Sequence, residues 1–330
     1  MKLNLIRGLI YMSKKTKTSA MSEDNARLPR PKENYHDHQP QPVARPFPLH
    51  WGGWSIVLPI TNVVFLSISA GIVLLPLGAM VLHSIAPSGI HLGNGLGNFI
   101  TQVQQRGWAW SNYREAWVKG GFLLAFANST VVSLVVTAIQ IVTSTLAGYA
   151  LARLSFTGRQ FILLLVVSTL IIPFQLLVIP VFSVLQWGNL INTYGALILP
   201  TAVNGFSIFL MHQYFTAIPM ELEEAAIMDG ANRWQILWEI MIPLARPAWI
   251  TLFLFTFIGE WNDLFKPLVF TTRPELRTVQ LALASFQEQY TGDWSLLMAA
   301  VVISTIPIVV LFLIGQRQFI QGIAMTGLKG

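Results

Sequence analysis

The segment that decides the fold is Glu224-Ala225-Ala226-Ile227-Met228-Asp229-Gly230-Ala231, which continues to Ile240, Pro243 and Pro247. It is polar and rich in acidic residues, whereas the stretches on both sides of it are apolar. Charged groups are costly in hydrocarbon. We therefore expect this segment to act outside a membrane that its flanks cross.

The composition indicates a polytopic membrane protein. Of the 330 residues, 53% are hydrophobic and 11% are charged, a balance unlike that of soluble domains. The absence of cysteine excludes disulfides, thiolate metal sites and cysteine nucleophiles. Many of the basic residues behind the net charge of +6 lie in the first fifty positions. That placement favours a tail beside a membrane over a nucleic-acid partner.

Six apolar stretches are long enough to be membrane-spanning helices, because a hydrocarbon core takes about twenty helical residues. They lie near 55–82, 122–151, 161–185, 194–215, 248–265 and 294–314. Helices satisfy their own backbone in lipid, and the alternation of barrel strands is missing. The predicted fold is all-α, with six transmembrane helices in residues 54–330. Residues 1–53 are polar and proline-rich and predict a disordered tail.

Few ionisable residues fall within these stretches. Spans one to four and span six contain no Asp, Glu, Lys or Arg, which argues against an ion-coupled carrier and against a membrane enzyme. Glu260, beside Trp261 and Asn262, lies near the end of span five and could hydrogen-bond a polar solute, although a helix end at the interface is favoured. Asn128 belongs to a row of polar side chains in span two. This row favours helix packing and leaves a solute-lining role open.

The segment 216–247 predicts two short helices. Acidic residues after Pro219 suit the positive end of a helix dipole. Ala225 and Ala226 are small enough for another protein to approach closely. Asp229-Gly230 predicts a turn, with Asp229 capping a second helix near Ala231.

The second helix should present an apolar face. Trp234, Leu237 and Met241 recur at helical spacing, and Pro243 and Pro247 end this helix and begin the next span. A projecting pair of helices with an acidic start and apolar anchors suits insertion into a groove of a partner.

The segment resembles the EAA coupling loop of ABC-importer permeases, whose pattern Glu224-Ala225-Ala226, Asp229-Gly230-Ala231, Ile240, Pro243 and Pro247 match in spacing. Other matches are similar to the carbohydrate-uptake branch of that family. They are Gly148 to Arg153 with Phe156 and Gly158-Arg159, Trp261-Asn262-Asp263, Leu276-Arg277-Thr278, Ala284-Ser285-Phe286, Asp293-Trp294, Gln316-Arg317 to Gly322, and Lys329-Gly330. The resemblance covers Trp54 to Gly330 and leaves out the tail.

The resemblance implies a permease subunit that pairs with a second, homologous permease subunit to enclose a solute path in the lipid bilayer; a different partner chain is favoured over an identical one. It implies that the loop 216–247 faces the cytoplasm and docks on an ATPase subunit dimer. Both termini would then be cytoplasmic, in the plasma (inner) membrane of a prokaryote, an orientation that Lys and Arg counts leave open. The implied coupling residues are Glu223, Glu224, Ala225, Ala226, Asp229, Gly230, Ala231 and Pro243.

The resemblance also implies an extracytoplasmic solute-binding protein. Residues 84–121 and 266–293 would meet it, with the loop of Phe286, Gln287, Glu288, Gln289 and Tyr290 reaching into it.

The chain is expected to be noncatalytic. It has no Gly-x-x-x-x-Gly-Lys-Ser/Thr motif and no evident Mg²⁺ site, so ATP and Mg²⁺ would be used by the partner ATPase. We expect no metal or cofactor in this chain, and three histidines of the tail, His36, His38 and His50, are expected to be solvated.

The predicted function is the permease subunit of an ATP-driven, binding-protein-dependent importer for a sugar, oligosaccharide or sugar-like osmolyte. A glycerol-phosphate importer of the same branch would need cationic residues near the path, and the predicted spans offer none. A membrane-embedded enzyme would need paired acids or a His-Glu-x-x-His helix at membrane depth, and neither occurs. The coupling loop would serve no purpose in a passive channel.

Overall fold

The computed structural model describes residues 57–90, 93 and 95–327, and for residues 57–60 and 317–327 it describes only the backbone. The predicted tail, its histidines and the matches at Trp54 and Lys329-Gly330 lie outside the described residues. The chain divides at Val63 into two units, and the packing below is that of the unit from Val64 onward. The described residues form helices and turns without any β-strand, as the all-α prediction requires.

Three long helices agree with predicted spans one, two and six. They are α1 (Val57–Ser84), α4 (Phe122–Arg153) and α15 (Trp294–Gly327). The stretches within them that are long and apolar enough to cross a membrane are Thr61–Ser84, Phe122–Arg153 and Trp294–Gln316.

The helices between α1 and α4 are short. They are α2 (Leu96–Arg106) and α3 (Ser111–Lys119). Asn112 of α3 is buried and donates from Nδ2 to the carbonyl oxygens of Ser84 and Ala86, each at 2.9 Å. This side chain therefore joins α3 to the end of α1.

Predicted span three is broken. Helix α5 (Arg159–Thr169) and helix α6 (Val178–Trp187) meet at 93°, with a 3₁₀ turn at Phe174–Leu177 between them. Pro173 has an extended backbone, with φ −61° and ψ 136°. A proline also supplies no N–H. The chain bends at this position, so the predicted span over 161–185 is a bent pair of helices.

Predicted span four is also broken. Helix α7 (Tyr194–Ile198), continued by a 3₁₀ turn at Leu199–Thr201, meets α8 (Gly205–Ala217) at 42°. Asn204 starts α8, since its Oδ1 accepts from Phe206 N at 2.8 Å.

The fifth stretch is shorter than predicted. Helix α12 (Arg246–Trp261) meets the elements of Arg233–Leu244 at 73°. By length and composition, the described residues thus contain three helices that could cross a membrane, or up to six crossings if each bent pair is one span.

The elements after α12 are α13 (Phe265–Phe270), a 3₁₀ turn (Pro274–Leu276) and α14 (Val279–Gln289). Buried side chains of α14 join those of α4, α12 and α15 in one apolar cluster, which includes Phe122, Trp261 and Phe286. Phe270 of α13 packs in a separate cluster with Leu185.

Helix α4 lies at the centre of the packing, with α8 and α12 against it. A second apolar cluster, which includes Tyr149, Met211 and Leu237, connects α4 and α8 to the elements that follow Arg233. Gly148 makes this close approach possible: a Cβ there would lie 2.7 Å from Met211 Cβ and 2.9 Å from His212 N. Small residues at helix crossings commonly play this part in membrane proteins.

Candidate functional site

The segment 216–247, called the coupling segment below, begins with a helix that forms as predicted. Helix α9 (Glu221–Met228) carries three acidic residues in its first turn, where they favour the positive end of the helix. It ends at Gly230, whose φ of 84° lies in the left-handed region. Gly230 N and Ala231 N donate to Ile227 O and Ala226 O, both at 2.9 Å, which satisfies carbonyls at the helix end.

The second helix starts at Asn232. Asn232 Oδ1 accepts from Trp234 N and Gln235 N, both at 3.0 Å, and Gln235 Oε1 accepts from Asn232 N at 2.8 Å. This is a capping box. The prediction that Asp229 caps this helix was wrong, because the turn at Gly230 leaves Asp229 exposed at the end of α9.

The elements after Asn232 are α10 (Arg233–Gln235), a π turn (Ile236–Met241) and α11 (Ile242–Leu244). The π turn accommodates an extra residue per turn and changes which side chains share a face. Leu237 and Met241 are buried, whereas Trp234 is 63% exposed. The prediction that these three residues share one apolar face is therefore wrong. Trp238, four residues after Trp234, is exposed as well.

A buried ion pair joins α9 to the end of α4. Glu223, only 1% exposed, has its Oε1 3.1 Å from Arg153 Nε, and its Oε2 lies 3.5 Å from Nη1 of the half-exposed Arg233. Within the described part of the chain, neither the Glu223 oxygens nor Arg153 Nε makes an aligned hydrogen bond, so charge holds these groups together. Arg153 Nη2 donates to Phe215 O at 2.5 Å and to Ile218 O. Arg153 therefore links α4, the end of α8 and the coupling segment.

The predicted coupling residues divide between the two faces of α9. Glu223 and Ala226 are buried, whereas Glu224, Ala225, Asp229 and Gly230 are exposed. Ala226 packs in the cluster of Tyr149 and Ile236, so its small size serves contacts within the chain. Ala225 remains accessible to a partner. Ala231 is half-buried and Pro243 is exposed.

The coupling segment exposes large apolar side chains. Met228 is 88% exposed, and Trp234 and Trp238 are also exposed. Leu222 and Ile227 of α9 add to this set. Grouped on one short segment, such side chains are typical of an interaction surface.

Asn128 makes hydrogen bonds within the chain through both ends of its amide. It is 1% exposed, and its Nδ2 donates to Glu275 O at 2.7 Å and to Arg277 O at 2.9 Å. Its Oδ1 accepts from the hydroxyl of Tyr194 at 2.6 Å. These bonds attach α4 to the 3₁₀ turn after α13 and favour the packing role that the sequence suggested.

Trp261 and Asn262 differ in exposure. Trp261 is buried, donates from Nε1 to Ser304 O at 3.1 Å and stacks on Phe257 with ring centroids 5.8 Å apart. Asn262 is exposed and accepts from Gln280 Nε2 at 3.0 Å. Of the two, only Asn262 is accessible to a solute.

Glu260 belongs to a charged cluster that was not predicted from the sequence. Lys266 Nζ lies 2.5 Å from Glu260 Oε2, 2.7 Å from Thr201 Oγ1 and 3.4 Å from Asp263 Oδ2. Lys266 is 3% exposed. The prediction placed Lys266 in a loop beyond span five. The spacing of Glu260, Asp263 and Lys266 within an apolar stretch was the signal that could have revealed the cluster.

Two clefts, each of about 220 Å³, share Glu260 and Gly259 in their walls. The first is lined mainly by Gln140, Asn204, Ser207, Thr256, Phe206 and Phe255. The second adds Gln175, Thr201, Asp263, Lys266, Phe174 and Phe265. Polar groups between aromatic side chains are typical of sites for small polar ligands.

Gln140 of α4 organises the first cleft. Its Oε1 accepts from Ser207 Oγ at 2.7 Å and from Thr256 Oγ1 at 3.0 Å. Its Nε2 donates to Thr201 O at 2.6 Å. One amide thus connects α4, α8, α12 and the 3₁₀ turn that carries Thr201.

The predicted contact with a binding protein lies at the end of α14. Phe286 is buried and lies 4.5 Å from the Tyr290 ring by centroid distance. Lys119 Nζ lies 5.3 Å from the centroid of the Tyr290 ring. Gln287, Glu288 and Gln289 are exposed. The aromatic pair therefore anchors a polar surface that a partner can reach.

Three helices long and apolar enough to cross a membrane, polar clefts and a two-helix segment are typical of a membrane protein that handles a polar solute, and comparison with known proteins identifies the family. Residues 140–325 match the family described as "Binding-protein-dependent transport system inner membrane component". The chain belongs to this family, whose members are noncatalytic permease subunits of ABC transporters.

Two of the relatives are permeases of sugar transport systems. The arabinooligosaccharides transport system permease protein AraQ of Halalkalibacterium halodurans is 32% identical over 288 residues, covering 84% of this chain and 96% of that protein. The trehalose/maltose transport system permease protein MalG of Thermococcus litoralis is 36% identical, covering 62% of this chain and 74% of that protein.

A solved structure shares the fold. It is a bacterial ABC transporter involved in the import of the acidic polysaccharide alginate. Its matching chain has a TM-score of 0.68 and 26% identity, and the match covers 83% of this chain and 100% of that chain. The resemblance to sugar permeases of ABC importers, inferred from the coupling motif, is thereby confirmed.

Proposed function

We propose that this chain forms half of the translocation path of an ATP-driven importer for a sugar, oligosaccharide or sugar-like osmolyte. The observation that carries the proposal is the coupling segment, whose exposed acidic and aromatic surface is joined by the buried Arg153–Glu223 pair to the long helix α4. The named relatives, which serve arabinooligosaccharides and trehalose or maltose, support the substrate class.

The coupling segment is proposed to dock on an ATPase subunit dimer in the cytoplasm. Glu224, Ala225 and Asp229 would meet the partner directly, and Trp234 would supply an apolar anchor. Closure of the ATPase dimer would then move the segment as a rigid body. ATP and Mg²⁺ belong to that partner in this scheme, and this chain binds no cofactor. With this segment in the cytoplasm, six crossings put both termini there as well.

The exposed apolar surfaces of α1 and α5 support contact with lipid and with a second, homologous permease subunit, for which a different chain is favoured. Large side chains such as Phe65 and Leu75 of α1 and Phe161 of α5 are more than half exposed in the isolated chain. Apolar surface of this extent requires lipid or a partner.

Gln287, Glu288 and Gln289 are proposed to contact an extracytoplasmic solute-binding protein. Their exposure, beside the anchored Phe286 and Tyr290, supports this role. Deleting the three residues should abolish stimulation of ATP hydrolysis by the loaded binding protein. Unchanged stimulation would refute the contact.

Glu260 and Asn262 are proposed to lie on the solute path, because Glu260 lines both clefts and the exposed Asn262 follows it closely in the chain. Asn128 and Trp261 would act behind the path, holding the helices that form it. Lys266 gives the path a cation, which a glycerol-phosphate importer needs, but this cation is paired within the chain.

The test is ATP-coupled uptake by the complete importer in proteoliposomes. A panel of arabinotriose, maltose, trehalose, lactose, alginate trisaccharide and glycerol 3-phosphate would be presented by the binding protein. Gly230→Pro removes the left-handed turn and should abolish uptake, whereas Gly230→Asn, which tolerates that backbone, should retain it.

Glu224→Lys reverses charge on the exposed face of α9 and should also abolish uptake while the subunit still assembles with its partner permease. Normal ATP-coupled uptake in both Gly230→Pro and Glu224→Lys would overturn the proposed coupling role. Failure of the whole panel to drive uptake or to stimulate ATP hydrolysis would overturn the sugar-importer function.

A further inference from the structure

We propose that the cleft at Glu260 selects neutral sugars and rejects acidic ones. The inference rests on the proposed function and deepens it by assigning a chemical class to the solute. It concerns Glu260, Asp263 and Lys266, which share the wall of one cleft, while Glu260 also lines the other.

The ammonium group of Lys266 is held by partners within the described structure. Of its three N–H donors, Lys266 Nζ uses two in hydrogen bonds to Glu260 Oε2 at 2.5 Å and Thr201 Oγ1 at 2.7 Å, and Asp263 Oδ2 lies 3.4 Å away as an ion-pair partner. The side chain is also only 4% exposed. A carboxylate or phosphate entering the cleft would have to compete with these partners for the ammonium group.

The charges in the cleft wall are unequal. Two carboxyl groups face one ammonium group, and among the described residues no other Lys or Arg lines either cleft. An excess of one sign of charge in a cleft favours solutes of the opposite sign and disfavours those of the same sign. The surplus carboxylate therefore disfavours a uronate or a phosphate ester.

The same groups are suited to hydroxyls. An ionised carboxylate accepts hydrogen bonds and donates none, and sugar hydroxyls are donors. Asn204, Gln175 and the aromatic rings of Phe206 and Phe174 complete the walls. A neutral sugar can thus donate to Glu260 while its apolar ring face lies against an aromatic side chain.

Selectivity by repulsion of a competitor is a common device in specific sites. In this importer the repulsion would act once the binding protein has delivered the solute, at the cleft within the membrane. It would place the choice between neutral and acidic sugars in this subunit as well as in its partners.

The test measures sugar binding to the purified permease–ATPase complex without the binding protein. Equilibrium dialysis would use radiolabelled arabinotriose and maltotriose, and for each the analogue whose terminal primary alcohol is oxidised to a carboxylate. In low salt, we expect at least one neutral sugar to bind about tenfold more tightly than its oxidised analogue, as like-charge repulsion in a cleft predicts.

The variant Glu260→Gln/Asp263→Asn removes both carboxylates and leaves the Lys266 charge unopposed. The amide introduced by Asp263→Asn would keep a carbonyl oxygen in place of Asp263 Oδ1, which now accepts from Phe265 N at 2.9 Å. The preference should then be lost or reversed. Glu115→Gln, an exposed change away from both clefts, should leave the preference unchanged.

Equal or tighter binding of the oxidised analogues to the unmodified complex would overturn the inference, as would absence of binding by both neutral sugars. An unchanged preference in a well-folded double variant would overturn it too. If the double variant does not assemble, Asp263→Asn alone replaces it in the test and should weaken the preference for the neutral sugar. Uptake of alginate trisaccharide by the complete importer would refute the neutral selectivity while leaving the importer function intact.

Discussion

Arg153 connects the end of α4 to the coupling segment and to the end of α8. Its guanidinium is buried against Glu223 and two carbonyl oxygens at the end of α8. Removing one member of a buried ion pair leaves an uncompensated charge, whereas removing both is often tolerated.

Arg153→Ala should lower the free energy of unfolding by about 3–5 kcal/mol, because Glu223 would stay buried without its close partner. Arg153→Met/Glu223→Leu should recover most of that loss. The measurement is thermal unfolding of the solubilised subunit, followed by tryptophan fluorescence.

Arg233→Ala is the matched control. Arg233 is 53% exposed in its side chain, so its removal should cost at most about 1 kcal/mol. Equal losses for Arg153→Ala and Arg233→Ala would contradict the central role of Arg153.

Gly148→Leu should separate α4 from α8. Even a Cβ would lie 2.9 Å from the backbone of His212, which cannot move as a side chain can. We expect a loss of about 1–3 kcal/mol, typical of overpacking, in the same unfolding assay. Gly71→Leu, where no atom lies within 4 Å of the added Cβ, should leave stability nearly unchanged, and a similar loss there would contradict the argument.

At the level of elements, hydropathy predicted which stretches are helical but not where they break. The three unbroken helices could be predicted because their apolar runs are long and uniform. The break at Pro173 and the restart at Asn204 depend on backbone geometry at single positions. An average over twenty residues cannot reveal them.

For the candidate sites, too, the sequence predicted one part and missed another. The coupling motif predicted α9 and the turn at Gly230, whereas the exposed faces could not be read from spacing because the π turn alters helical register. Lys266 was missed because a lysine after a helix end is usually solvated. Its burial depends on Glu260, Asp263 and Thr201, and Thr201 is distant in sequence.

Asn232→Ala tests the capping box of the second coupling helix. Loss of an N-cap costs about 0.5–2 kcal/mol, so hydrogen exchange at the amides of Trp234 and Gln235 should accelerate. Asp229→Ala should leave this exchange unchanged, since the cap is supplied by Asn232. Faster exchange in Asp229→Ala with none in Asn232→Ala would reverse the assignment.

For the whole assembly, the exposed tryptophans of the coupling segment should carry much of the affinity for the ATPase. Tryptophans are frequent hot spots of protein interfaces. Trp234→Ala/Trp238→Ala should weaken binding of the isolated ATPase subunit at least tenfold, about 1.4 kcal/mol, without changing unfolding of the permease. Surface plasmon resonance on the permease pair in nanodiscs would measure the affinity.

Trp108→Ala is the control, because Trp108 is half-exposed in the connection between α2 and α3, far in sequence from the coupling segment. It should not change affinity for the ATPase. An unchanged affinity in the double variant would refute the proposed anchors.

The Arg153–Glu223 pair also limits how such permeases can be recombined. Glu223 lies inside the coupling segment, whereas its arginine belongs to α4, well before it in the chain. A chimera that transplants residues 216–247 from a relative would inherit half of the pair from each parent. The exchangeable module is therefore the segment together with the last turn of α4, and crossover points that respect this boundary should yield functional hybrids.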